Sequence, residues 1–408
     1  MNKLYIFILL LFSISFIPAF GAIDKATTHW FFLSILPLFF FFISFNKIFI
    51  KSKIFLFYSF FILQVFISLF YTNNFNISVV DFSRHLILFS LLLFLISLLN
   101  SKSFSFYNLS LIISFFLFYE VLMSLRPLYY FIVNNGFDFS IITSYQVDSL
   151  KGLNGNRNIT TASIVIKLPF LIYLIYQSKI YYKFLFSSFA FLPALSLFLI
   201  NSRAALLSFI LFISTTTLFI LFFHRKKFIT LSLILMPFFF AFLFADSLIP
   251  DDTLNASEKI SSIAFTNESS SYRFFIWENA FDYISQNPFI GCGIGNWKVE
   301  SAAYWSTFGV DYLVPYHAHN DFLEFSTELG VIGGLTYLGL FLLITYKSIS
   351  SYFRTKDFKY FILLSSFAAL FIDSLLNFPF ERPFIQVMFL ILLALNIHYD
   401  YSNDSKQA

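Results

Sequence analysis

Only one cysteine, Cys292, occurs in the 408-residue chain, so an intramolecular disulfide is excluded and the redox compartment stays undetermined. Charged residues make up just 12% of the sequence and the net charge is +4, which calls for no nucleic-acid partner. No Walker loop and no dinucleotide fingerprint occurs, so nothing points to a nucleotide-dependent reaction.

What the chain does have is apolar surface. It is 58% hydrophobic with 65 phenylalanines and a mean hydropathy of +0.78, more than a water-soluble core can bury, which assigns it to a bilayer. The expected fold is an all-α polytopic bundle of about twelve transmembrane helices. The spans fall near 4–21, 29–45, 54–71, 82–99, 107–125, 159–176, 184–200, 204–223, 228–246, 329–346, 360–377 and 383–398. The first follows Lys3 and ends in small residues like a signal peptide, but eleven more spans follow, so it reads as an uncleaved first helix. Phenylalanine is read as lipid-facing and packing surface.

Alternating the loops sorts the basic residues. Lys3, Lys47, Lys51, Lys53, Lys102, Lys179, Lys183, the "HRKK" at 224–227, Lys347, Arg354, Lys356, Lys359 and Lys406 fall on one side, fifteen of the 26 basic residues against three of the 22 acidic ones. The positive-inside rule makes that side cytoplasmic and puts both termini there. The expected organisation is N-terminal helices over 1–125, an outer loop over 126–158, central helices over 159–246, a large outer loop over 247–328, C-terminal helices over 329–398 and a cytoplasmic tail over 399–408. The cytoplasmic loops are short, so chemistry is expected on the outer face.

The large loop carries local signals. In "SYRFFIWENAFDYISQNPF" the residues Phe274, Trp277, Phe281 and Ile284 recur at helical spacing, predicting an amphipathic helix at the membrane surface that Pro288 ends. "GCGIGNW" reads as a tight turn, since neither a preceding strand nor a helix-starting pattern supports a phosphate loop. Asp321 and Glu324 are spaced like a capping box, which puts His319 just ahead of a helix N-terminus. Trp297, Tyr304, Trp305 and Tyr312 fit either sugar stacking or interfacial anchoring.

Arg203, in a short turn between two spans, and Arg273, at the start of the amphipathic helix, each fit headgroup contacts when taken singly. Together with His319 they meet the needs of a diphosphate leaving group. Arginine offers forked, permanently charged donors. A helix N-terminus adds backbone N–H groups and lowers the histidine's proton affinity, leaving a base beside an anion site. The rival reading of "HAH" is a metal site using His317, His319 and a third ligand such as "PDD" at 250–252. Asp373 closes the eleventh span beside Glu381 and Arg382, either as part of a structural ion pair or with a direct role. Glu120 and Lys167 are the main ionisable residues within spans, and both are expected near span ends.

"HAHNDFLEFSTELGVIGG" resembles the signature of the O-antigen ligase and O-antigen polymerase superfamily: His319-Asn320, nine residues, then Gly330, Gly333 and Gly334. "GLNGNRNITTASI" at 152–164, "NSRAALL" at 201–207 and "YRFFIWENAFDYISQNPFIGCGIGNW" at 272–297 follow the same order. The resemblance covers about residues 150–395; the first five spans match only in hydropathy and number. It implies a metal-independent, inverting glycosyltransferase of the bacterial inner membrane, acting at the periplasmic face with no cofactor. The donor would be a glycan on undecaprenyl diphosphate. A ligase would pass it to a sugar hydroxyl of the lipid A core, as in lipopolysaccharide biosynthesis. A polymerase would pass it to another lipid-linked repeat. Carried over, Arg203 and Arg273 hold the diphosphate and His319 deprotonates or orients the acceptor hydroxyl. Asn320 and Asp373 join the substrate-binding set, Asp373 as the looser match, and His317 receives no catalytic step.

The intact "HxHN" segment and the Asp373 boundary favour the ligase over the polymerase. A polytopic transporter of lipid-linked glycans is the reading from another class; it predicts internal repeats and charged or broken helices near the midplane.

Overall fold

The computed structural model describes residues 3–21, 24–39, 51–99, 104–136, 147–249, 258, 261, 272–305 and 316–404. Among these, the chain is all-α. The helices are α1 (Lys3–Ser13), α2 (Lys25–Phe39), α3 (Lys53–Ser68), α4 (Phe75–Leu99), α5 (Phe106–Asn135), α6 (Arg157–Gln177) and α7 (Ile180–Ile200). They continue as α8 (Arg203–Phe223), α9 (Phe228–Leu248), α10 (Arg273–Gln286), α11 (Trp297–Trp305), α12 (Asp321–Thr355), α13 (Phe358–Leu376) and α14 (Pro383–Asp404). Each of the twelve expected spans overlaps one of them. Among the described residues nine helices are long and apolar enough to cross a membrane, namely α4 to α9 and α12 to α14; α1 with its 3-10 extension, and α3, are shorter apolar helices. The chain is a multi-pass membrane protein.

Local chemistry explains the boundaries. Ser52, Ser105 and Asn156 cap α3, α5 and α6 by accepting hydrogen bonds from first-turn N–H groups, each such cap contributing about 1 kcal/mol. Prolines sit inside α5, α6, α7 and α9, which neighbouring helices in a bundle tolerate.

Two compact units divide the chain: residues 1–104, 264–356 and 373–408 form one, and 105–263 with 357–372 the other. In the second, every residue of α6 from Thr160 to Tyr176 is buried, as expected for a central helix that is apolar on all sides. The outer helices α8 and α9 leave Phe222, Phe223, Phe239 and Phe240 exposed, surface suited to lipid. Inside this unit Lys167 Nζ lies 2.8 Å from Glu120 Oε2, both side chains fully buried, and Ser163 Oγ bonds both. The sequence reading put these two residues near span ends. Instead they sit midway along α5 and α6, since a buried ammonium and carboxylate need each other wherever their helices meet.

In the first unit, α12 begins at Asp321, which puts His319 just ahead of a helix N-terminus as expected, and it breaks at Gly330 (φ 75°, ψ 173°). The "GCGIGNW" loop fills the break: Cys292 N donates to Thr327 O, Gly293 N to Glu328 O, and Val331 N to Pro288 O. The loop is therefore a turn, as predicted, but it mends a broken helix and α11 does start directly after it. Close approach explains the glycine at 291, where a Cβ would lie 2.1 Å from Thr327 O.

Candidate active site

Three site residues sit at helix starts. Arg203 is the first residue of α8 and Arg273 the first of α10; His319 immediately precedes Asn320, the N-cap of α12. Each is, or closely follows, a non-glycine residue with positive φ: Asn201 (58°), Tyr272 (59°) and His319 itself (52°). Such a conformation costs about 1–2 kcal/mol, and strain of this kind collects where position matters more than stability.

The predicted capping box is corrected. Asn320 Oδ1 accepts from Phe322 N at 3.0 Å and Leu323 N at 3.1 Å, so Asn320 and not Asp321 caps α12. Glu324, one turn in, reaches back to the preceding loop: Oε1 lies 2.8 Å from His317 Nδ1, and Oε2 accepts from Ala318 N at 2.9 Å. From the other side Trp277 Nε1 of α10 donates to Ala318 O at 3.0 Å. Ala318 is fully buried with Ile276, Ala280 and Trp297. The apolar stripe of α10 is therefore offset from the one predicted, with Ile276 and Ala280 buried while Phe281 is 58% exposed. Small Ala280 allows the close approach.

One aromatic ring organises the cations. His317 stacks on Phe378 (centroids 4.4 Å apart, planes at 18°), His319 stands edge-on to it (4.8 Å, 89°), and the Arg382 guanidinium lies 4.3 Å from its centre. Arg273 Nη2 donates to Asn377 Oδ1 at 3.1 Å, and Asn377 Nδ2 donates to Asp373 Oδ1 at 2.6 Å. Asp373, 5% exposed, thus reaches Arg273 through Asn377. The expected ion pair around Glu381 forms elsewhere: Glu381 Oε2 binds Arg84 Nη1 at 2.6 Å, and Arg84 also binds Asp81 at 2.7 Å. Arg84 is the nearer cation across the fold, whereas Arg382 is occupied over Phe378.

Electrostatics separate the two histidines. Burial, then the charges of Arg273, His317 and Arg382, push His319 down to about 4, so its imidazole is neutral at physiological pH. Its Nδ1 is buried and has no hydrogen-bond partner among the described residues. For His317 burial acts downward, but the Glu324 carboxylate outweighs it and the pKa is raised. The pair is a neutral base beside a histidine biased toward its charged form.

Arg273, His319, Asn320 and Asp373 thus belong to one unit, while Arg203 belongs to the other. At the end of that unit's α7, Arg157 donates to Ile200 O through Nε and Nη2 and pairs with Asp148. Among the described residues no three His, Cys, Asp or Glu side chains are grouped to hold a metal ion, and His317 Nδ1 is engaged by Glu324; residues 250–252 and Tyr312 lie outside the described residues. Sequence reasoning missed the grip of Glu324, the relay through Asn377 and the organising role of Phe378. Only Glu324 left a signal, a carboxylate one helical turn past the Asn cap.

Residues 188–338 match the model of the O-antigen ligase family, a stretch that contains Arg203, Arg273 and His319. Similar proteins are provisionally named polysaccharide ligases. The one from Rickettsia conorii is 33% identical over 102 residues, 23% of this chain and 23% of its own. Those from Rickettsia prowazekii and Rickettsia typhi are each 31% identical over 124 residues, 27% of this chain and 28% of theirs. The chain spans about a quarter of the length of the curated relatives it matches. Over residues 188–338 the chain is similar to the O-antigen ligase family.

Proposed function

We propose that the protein transfers a glycan from undecaprenyl diphosphate to a sugar hydroxyl of the lipid A core, at the periplasmic face of the inner membrane, with inversion and without a metal. The observation that carries this reading is His319 at the N-terminus of α12, its Nδ1 buried without a partner among the described residues and its proton affinity lowered by burial and by the charges of Arg273 and Arg382. Proton acceptor and anion site are thereby combined.

The reaction balances on these groups. His319 takes the proton of the acceptor hydroxyl as its oxygen attacks the anomeric carbon from the face opposite the diphosphate. The old C–O bond breaks, and its electron pair leaves with undecaprenyl diphosphate. Arg273 stabilises that departing charge, the resemblance gives Arg203 the same role, and general-base assistance contributes about 10²–10⁴-fold. An arginine as first helical residue opposes the usual preference for acids there, at a cost of about 0.3–1 kcal/mol; a bound diphosphate reverses the sign. Asn320 Oδ1 is committed to the cap, which leaves its amide nitrogen for substrate, and Asp373 acts on Arg273 through Asn377. The basic loops and both termini are cytoplasmic in this reading, and the 247–328 loop is periplasmic.

Purified protein given a labelled undecaprenyl-diphosphate glycan and core lipid should form a glycosidic bond without an energy source and in the presence of chelator. The His319→Ala variant should not. An active variant removes His319 from the mechanism, and loss of activity in chelator that divalent cations restore revives a metal role. The polymerase is the second reading, favoured by the motif it shares with ligases. Deleting a ligase leaves bare core lipid with long chains held on the carrier, whereas deleting a polymerase leaves cores bearing one repeat. Transport has in its favour the midspan Glu120–Lys167 pair; a transporter would form no bond in the same assay.

A further inference from the structure

We propose that Glu324 is the positioning residue of this site: its two carboxylate oxygens hold His317 and the Ala318 backbone so that His319 keeps its left-handed conformation. The inference rests on the reading of His319 as base.

The geometry is that of a clamp. Ala318, between His317 and His319, is gripped at its N–H by Glu324 of α12 (2.9 Å) and at its C=O by Trp277 of α10 (3.0 Å). Fixing both ends of a single residue fixes the plane from which His319 departs at φ 52°, a conformation rare for a residue with a Cβ. Because Trp277 lies four residues after Arg273 in α10, the same contact ties the helix that presents the arginine to the loop that presents the base. The second oxygen of Glu324 reaches His317 Nδ1 at 2.8 Å, while Phe378 supports that ring from its face and His319 from its edge.

The charge environment gives Glu324 a second effect. His319 is faced by Arg273 from α10, Arg382 from the segment after α13, and His317. His317 is faced by Glu324, by Glu381 and by Lys298 of α11. Beyond Glu324, a cavity of about 10 Å³ is lined by Asp81 and His85 of α4, Asp321 and Glu328 of α12, and Glu381. Removing the Glu324 charge removes the largest influence that holds the His317 pKa up, so His317 gives up its proton more readily. His319 then loses one of the cations that disfavour its own protonation and becomes easier to protonate.

Two variants separate geometry from charge. Glu324→Gln keeps an acceptor for the clamp and loses the charge; Glu324→Ala loses both. Carbethoxylation of His319 by diethyl pyrocarbonate, followed by peptide mass spectrometry from pH 4 to 8, reports the neutral imidazole without any substrate. Glycan transfer over the same range reports catalysis, with His319→Ala alongside. In Glu324→Gln the acid limb of both profiles should move up by about one pH unit, with the plateau rate largely kept. In Glu324→Ala the plateau should also fall by about 10²-fold, the usual cost of a reacting group misplaced by about 1 Å. Unchanged carbethoxylation in Glu324→Gln, or a wild-type plateau in Glu324→Ala, overturns the proposal. An active His319→Ala overturns the underlying reading and leaves the carbethoxylation result to stand alone.

Discussion

The Arg273 guanidinium donates to Asn377 Oδ1 at 3.1 Å, and through Asn377 is aligned by Asp373. An arginine at the start of α10 is thus fixed by an amide that follows α13, about a hundred residues on. Replacing Asn377 with alanine should free the guanidinium and weaken the use of donor more than of acceptor. Steady-state kinetics should show a fall of about tenfold in kcat/KM for donor, the loss of one hydrogen bond to a charged group being about 1.5 kcal/mol or more.

Keeping charge at the two family arginines should not keep function. Arg203→Lys and Arg273→Lys replace a planar fork with a point charge, and each should lower kcat by about 10²-fold, the scale of one lost donor to a developing oxyanion. Single-turnover glycan transfer measures this directly; wild-type rates in both variants would exclude a forked phosphate contact.

In the proposed mechanism the neutral form of His319 is the active one, and its pKa is depressed to about 4. Activity should therefore persist through mildly acidic pH and fall only as pH approaches that value. Arg273→Gln removes a positive neighbour, so the pKa rises and the acid limb moves to higher pH. A limb near the ordinary histidine value in wild-type protein would contradict the buried, cation-flanked site.

Gly291→Ala should destabilise the first unit. A Cβ there would lie 2.1 Å from Thr327 O and 2.5 Å from the Glu328 carbonyl carbon, where the backbone on both sides is held by hydrogen bonds. Overpacking of this kind costs about 1–3 kcal/mol, read as a lower unfolding midpoint in detergent.

In the second unit, Glu120→Gln should cost about 3–5 kcal/mol by leaving the Lys167 charge buried alone, whereas Glu120→Gln with Lys167→Met should recover most of the loss. Unfolding of the two variants in the same detergent tests the coupling. Equal destabilisation would mean that packing, and not charge pairing, dominates.

How much of this was legible beforehand differs by residue. Each of the twelve apolar runs overlaps a described helix, and nine of those helices are long and apolar enough to cross a membrane, because a bilayer leaves a hydrophobic segment few alternatives to a hydrogen-bonded helix. His319 was marked by the helix start expected after it and, with Asn320, by the resemblance to a family signature that runs on to Gly330. The roles of Glu324 and Asn377 were not, since each depends on where a distant backbone atom or guanidinium comes to rest. Phe378 was hidden among 65 phenylalanines, and nothing in composition distinguishes the one ring that two imidazoles and a guanidinium share.

The sequence by itself determined the multi-pass helical class and the identity of the ionisable groups, because hydropathy and residue chemistry are local properties. Only the tertiary structure decided that Asn320 caps α12, that Glu324 grips the loop before it, and that a glycine turn mends the break at Gly330. Hydrogen bonds and charge–charge interactions depend on separations of a few ångströms between groups far apart in the chain, and such separations exist only once the helices have packed.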